Sequence, residues 1–100
     1  MKTVYKYPIG LHIKKVEIYK NAKILSAGYD PSGILCVWAL VDTEQEKEEI
    51  YFFSIGTGWD LPNCDLEFID TVNDGPYMWH IFKANENFIH TYIENSKKEI

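Results

Sequence analysis

The chain has 100 residues, of which 46% are hydrophobic and 15% aromatic, and its formal net charge is −5. This length allows one compact domain over residues 1–100 and excludes a second. All ten basic residues are lysines, and the lack of the planar arginine fork argues against a nucleic-acid partner.

The first half of the chain follows the period of two that is typical of strands. We predict strands at Thr3 to Tyr7, Ile13 to Tyr19 and Ile24 to Tyr29. Residues 30–33 place Asp, Pro and Gly where a type I turn prefers them. The continuous apolar run from Ile34 to Val41 then predicts a central strand that is covered on both faces.

The second half continues the β pattern. The acidic segment from Asp42 to Glu49 is predicted to be a loop. Strands follow at Ile50 to Ile55, Leu66 to Val72 and Tyr77 to Phe82, the last two joined by a hairpin turn at residues 73–76. The predicted fold class is therefore mainly β, an antiparallel sheet or sandwich-like domain of about six to seven strands.

The last residues change in character. Phe88, Ile89, Tyr92 and Ile93 form a stripe with helical spacing. We predict a short helix within residues 85–100, as an extension of a β core at residues 2–82. The β-branched and aromatic composition of this segment leaves a final strand as the alternative.

The loop after the strand Ile50 to Ile55 is the main candidate for a binding site. Gly56, Thr57, Gly58 and Trp59 follow one another there, and glycine permits positive φ angles and close approach of another group. This segment is interpreted either as a loop that contacts a ligand or as a simple turn after the strand.

Three Trp, seven Tyr and five Phe are more than a small core readily encloses. Exposed aromatic side chains anchor interfaces, so we expect a ligand face or a subunit interface, and Trp79 is a further contact candidate. The alternative is that these rings cap the edges of the sheets.

Charge is unevenly distributed. Residues 1–24 hold six lysines and one acid, whereas the other 76 residues hold four lysines and fourteen acids. This asymmetry favours self-association into a homo-oligomer, or a lysine patch that includes Lys14 and Lys15 and binds a small anion. An ordinary solvated surface is the alternative.

Catalytic and metal-binding residue sets are not evident. Cys64 and His80 could in principle form a thiolate and imidazole pair, but their spacing does not single them out. The short-range ligand pairs of structural zinc sites are missing. We therefore predict a protein that is not an enzyme and has no metal or cofactor.

The motifs together resemble an uncharacterised family of short proteins encoded mostly by tailed bacteriophages and prophages. The resemblance covers residues 2–82 and rests on the order and spacing of the following elements: Lys6-Tyr7-Pro8, Ala22-Lys23-Ile24-Leu25, Cys36-Val37-Trp38-Ala39-Leu40-Val41-Asp42, Gly56-Thr57-Gly58, Thr71-Val72 and Trp79-His80-Ile81-Phe82. It implies a phage accessory role in the host cytoplasm, without an assigned activity.

Two functional hypotheses follow from these observations. The first is a non-enzymatic binding protein, with an anti-defence role as one form, that sequesters a small nucleotide-like signal or caps a host protein. The second is a structural or assembly module that acts through self-association. No window of the sequence is apolar over the length that crosses a bilayer, so we expect no membrane partner.

Overall fold

The structure is a computed structural model, and it describes residues 1–61 and 66–84. Seven strands account for most of these residues: β1 (Lys2–Pro8), β2 (Ile13–Tyr19), β3 (Lys23–Tyr29), β4 (Leu35–Asp42), β5 (Lys47–Gly56), β6 (Glu67–Asp74) and β7 (Tyr77–Ala84). The same residues contain no helix of the length and apolarity needed to cross a membrane. The predicted helix at residues 85–100 lies outside the described residues.

The strands form two antiparallel sheets. One sheet has three strands in the order β1-β4-β3, and the other has four in the order β2-β5-β7-β6. Apolar side chains from both sheets meet in one buried cluster, which is the arrangement of a β-sandwich. The predicted mainly β, sandwich-like fold class is confirmed.

The core lies between the sheets and is built from alternate residues of the strands. Val37, Ala39 and Val41 of β4 and Trp79 and Ile81 of β7 are buried in the same cluster. Successive side chains of a strand point to opposite faces, so residues at these spacings share the inward face. A second, smaller cluster of Phe53, Ile55 and Ala84 lies on the other face of the four-stranded sheet.

The predicted central strand is β4, which pairs with β1 on one side and β3 on the other. Its inward face is buried as expected. On its outward face Cys36 is buried, Trp38 is half-buried and Leu40 is exposed. The expectation that both faces would be covered is therefore correct at only one end of the strand.

The prediction of a loop from Asp42 to Glu49 was wrong in extent, because β5 already begins at Lys47. Lys47 and Glu49 pair with residues of β2. Lys15 and Glu49 form an ion pair at 2.9 Å, and Lys47 and Glu17 approach to 3.9 Å. Opposite charges across two strands stabilise the pairing, so a charged segment is accommodated as a solvent-facing strand.

The turn at residues 30–33 forms as predicted, since the Gly33 amide donates to the Asp30 carbonyl oxygen at 2.9 Å. The Asp30 carboxylate is buried. It accepts hydrogen bonds from the Ile34 and Ser32 amides at 3.0 and 2.9 Å and from the Lys6 ammonium at 2.9 Å. The Ile34 amide and the Lys6 ammonium lower the pKa of Asp30 to about 2. The carboxylate thereby joins β1 to the turn before β4.

Candidate functional site

The predicted contact loop begins where β5 ends at Gly56. The Trp59 amide donates to the Gly56 carbonyl oxygen at 3.2 Å, which closes the turn. Gly58 has a φ of +84°, a left-handed conformation that glycine adopts without steric cost. The loop therefore needs glycine at this position for its backbone path.

The Trp59 side chain folds back over Gly56. A Cβ atom placed on Gly56 would lie 2.9 Å from Trp59 Cε2. The group that approaches this glycine closely is thus the protein's own indole ring. The lack of a side chain at Gly56 therefore makes room for Trp59.

Trp59, Tyr77 and Trp79 form an aromatic cluster, which we call the aromatic end. The rings of Trp59 and Trp79 are 5.6 Å apart with an interplanar angle of 84°. Tyr77 is stacked on Trp79 at 6.1 Å and 25°. Edge-to-face and offset-stacked pairs are the favourable arrangements of aromatic rings. Trp79 is 8% exposed and supports the two outer rings, which are 55% (Trp59) and 62% (Tyr77) exposed.

Asp74 supplies the charge at the aromatic end. Its Oδ2 atom accepts from the Trp79 indole nitrogen at 3.3 Å and from the Tyr29 hydroxyl at 3.0 Å. Burial and the hydrogen bond to Asp74 raise the pKa of Tyr29. Since Tyr29 belongs to β3, this carboxylate also links the two sheets.

His80 connects the loop to the neighbouring strand through hydrogen bonds. Its Nε2 atom is 2.7 Å from Thr57 Oγ1, and its Nδ1 atom is 3.0 Å from Thr71 Oγ1. A threonine hydroxyl both donates and accepts, so each imidazole nitrogen has a partner. His80 therefore ties the loop to β6 and β7. Cys64, with which His80 was not predicted to form a catalytic pair, lies outside the described residues.

The two lysine candidates lie elsewhere on the four-stranded sheet. Lys14 pairs with Phe52 and Lys15 with Tyr51. Phe52 precedes Gly56 by four residues of β5, a separation of about 13 Å along a strand. Lys15 also forms the ion pair with Glu49. The structure thus brings residues 56–59 together with Trp79 but places neither lysine beside them.

Tyr77 and Asp74 were not predicted as site residues. The period of two places Tyr77 on the same face as Trp79, and that signal was available in the sequence. The contacts of Asp74 depend on the packing of two sheets and carry no local signal. Among residues 1–61 and 66–84, no three His, Cys, Asp or Glu side chains are placed to hold a metal ion.

These features define a small β-sandwich with an exposed, supported aromatic cluster at one end. A family model described as a domain of unknown function (DUF7352) matches residues 1–92, and the chain belongs to this family. The expected resemblance to an uncharacterised family is confirmed at this level. No curated protein and no solved structure matches the chain.

Proposed function

We propose that the protein is a non-enzymatic binding protein that docks on another protein through the aromatic end. The observation that carries this proposal is that Trp59 and Tyr77 are each more than half exposed while both contact the buried Trp79. Large exposed rings are unfavourable on a surface without a partner and are enriched among the residues that dominate binding energy.

The two rings are already ordered in the free protein. Trp59 is seated against Gly56 and Trp79, and Tyr77 is stacked on Trp79. Binding then costs little additional side-chain entropy, because the contact geometry exists before the partner arrives. Preformed aromatic anchors of this kind suit a protein surface with a complementary apolar pocket.

The charge at the aromatic end favours a protein partner over a small nucleotide-like signal. The carboxylate of Asp74 contacts Trp79 there, and a phosphate group is repelled by a nearby carboxylate. Lys14 and Lys15 lie on β2, opposite Phe52 and Tyr51 of β5. Capping of a host protein is therefore the favoured form of the function. A phage accessory role, with anti-defence as one form, follows from the sequence resemblance and is part of the proposal.

The experiment is affinity capture from a bacterial lysate with three forms of the purified protein. These are the wild type, the double variant Trp59→Ala/Tyr77→Ala, and the control Val4→Ala/Leu40→Ala. Val4 and Leu40 are exposed cross-strand partners of β1 and β4, so the control also removes apolar surface. We expect one protein to be retained by the wild type and the control and to be lost from the aromatic variant.

Three results contradict the proposal. Equal retention by all three forms shows that the aromatic end is not the contact surface. Calorimetric binding of a cyclic nucleotide or a cyclic ADP-ribose isomer that the aromatic variant abolishes shows that the partner is a small signal. A wild-type oligomer in sedimentation that becomes monomeric in the aromatic variant shows that the surface serves self-association, as in the assembly-module hypothesis.

A further inference from the structure

The two sheets meet along a seam between β3 and β6, which are edge strands of their respective sheets. One end of this seam is closed by hydrogen bonds. The Ala27 amide donates to Asp70 Oδ2 at 3.0 Å, and the Tyr29 hydroxyl donates to Asp74 Oδ2 at 3.0 Å. The two carboxylates hold the sheets together at this end.

At the other end of the seam, both strands are irregular. The register of β3 shifts between Ile24 and Ser26, and that of β6 shifts between Phe68 and Asp70. A bulge bends its strand and is common at sheet edges and beside binding sites. Where both edge strands are irregular, a groove of about 360 Å³ lies between them, near the lower limit of typical small-molecule sites.

The groove combines cationic and apolar walls. Lys23 and Lys83 line it together with Ile24, Phe68 and Ile69. Ile24 and Ile69 pack against the core, and the Phe68 ring, edge-on to Phe82 at 5.7 Å, is largely exposed. The hydrophobic core therefore supports the apolar wall of the groove.

Lys23 and Lys83 are the two cationic side chains of the groove. Among the described residues, neither Lys23 nor Lys83 makes an ion pair or a side-chain hydrogen bond. Glu67 also lines the groove and faces Lys83 in the strand register without forming an ion pair. Among the described residues that line the groove, two ammonium groups and one carboxylate give an excess of one positive charge.

We propose that this groove binds a small organic anion with a single acidic group. The carboxylate or phosphate of the ligand lies between Lys23 and Lys83, where charge-assisted hydrogen bonds form. Its apolar part contacts Ile24, Ile69 and the exposed ring of Phe68. Glu67 opposes ligands of higher negative charge. This site is separate from the aromatic end and does not depend on the function proposed for it.

The test is a titration followed by amide chemical shifts in two-dimensional NMR spectra. The probes are benzoate, phenyl phosphate and the neutral benzyl alcohol. We expect saturable shifts at residues 22–24 and 67–69 with at least one of the two anions and weaker binding of the alcohol. The stronger anion identifies whether a carboxylate or a phosphate is preferred.

Two lysine variants complete the test. Lys23→Gln/Lys83→Gln removes both ammonium groups, and we expect about a tenfold or greater loss of affinity for the anion. Lys2→Gln, on β1 at the far edge of the three-stranded sheet, removes an exposed charge and is expected to bind like the wild type. Trp59→Ala is also expected to bind the anion normally, which separates this site from the aromatic end.

The proposal is overturned if neither anion changes the amide chemical shifts of the groove residues. It is equally overturned if benzyl alcohol binds as well as the anions, or if the groove variant and Lys2→Gln lose affinity to the same extent. Each of these results would show that the two groove lysines do not form an anion site.

Discussion

At the scale of single residues, Asp30 gives the clearest pH dependence. Its pKa of about 2 lies below the ordinary value of 3.8, chiefly because the Ile34 amide and the Lys6 ammonium bind the ionised carboxylate. A lowered folded-state pKa contributes stability that is complete above the ordinary pKa and is lost as the pH falls through the folded value. The contribution of Asp30 should therefore disappear between about pH 4 and pH 2.

This expectation is tested with Asp30→Asn, and the free energy of unfolding is measured by urea denaturation from pH 7 to pH 2. The variant should be less stable than the wild type at pH 7, and the difference should shrink toward pH 2. Asp60→Asn, which changes an exposed carboxylate, serves as the control and should show little effect. A difference for Asp30→Asn that stays constant over this range contradicts the assigned role.

The two glycines of the contact loop should respond differently to alanine. Gly56→Ala places a Cβ atom against the Trp59 ring, which should move the ring off Trp79 and increase quenching of its fluorescence by acrylamide. Gly58→Ala meets no atom within 4 Å but forces alanine into a left-handed conformation, at a cost of about 1–2 kcal/mol. Unfolding and quenching measured on both variants separate the effects. Identical behaviour of the two would refute this account of the loop.

At the scale of strands, β7 contributes residues to both the core and the candidate site. Ile81 is fully buried between the sheets, whereas Met78 on the same strand is exposed. Ile81→Ala should lower the free energy of unfolding by about 2–5 kcal/mol, because it leaves a cavity in the core. Met78→Ala should lower it far less. Similar losses in urea denaturation would contradict the placement of β7 in the sandwich.

Local pattern predicted most of the strands, because alternation and turn residues are short-range signals. The bounds of β2 are those predicted, and β4 occupies the central position expected from its apolar run. The start of β5 was missed because its charged residues are stabilised by β2, a partner remote in sequence. Long-range pairing of this kind overrides local composition.

The difference between short-range signals and long-range contacts also explains which residues of the candidate site could be predicted. The loop at residues 56–59 was identifiable from its glycines and its tryptophan, and Trp79 from its aromatic character. Asp74 could not be identified, since its contact with Tyr29 requires the two sheets to pack. The expected participation of Lys14 and Lys15 at the same site remains a prediction, and the register of β2 with β5 places them away from the loop.

At the scale of the whole molecule, the two sheets present two separate surfaces. The aromatic end extends from the ends of β5 and β7, and the groove lies at the irregular end of the β3 and β6 seam. Asp74 belongs to the aromatic end and also bridges the sheets at the closed end of the seam. Asp74 therefore contributes both to the aromatic end and to the packing of the two sheets.

The most direct measurement of the central claim is a calorimetric titration of the captured partner protein with the wild type, Trp59→Ala/Tyr77→Ala and Val4→Ala/Leu40→Ala. Truncation of a dominant aromatic anchor costs about 2 kcal/mol or more. We therefore predict that the aromatic variant binds at least about 30-fold more weakly, while the control keeps the wild-type affinity. Equal affinity of the aromatic variant and the wild type would contradict the assignment of the aromatic end as the contact surface.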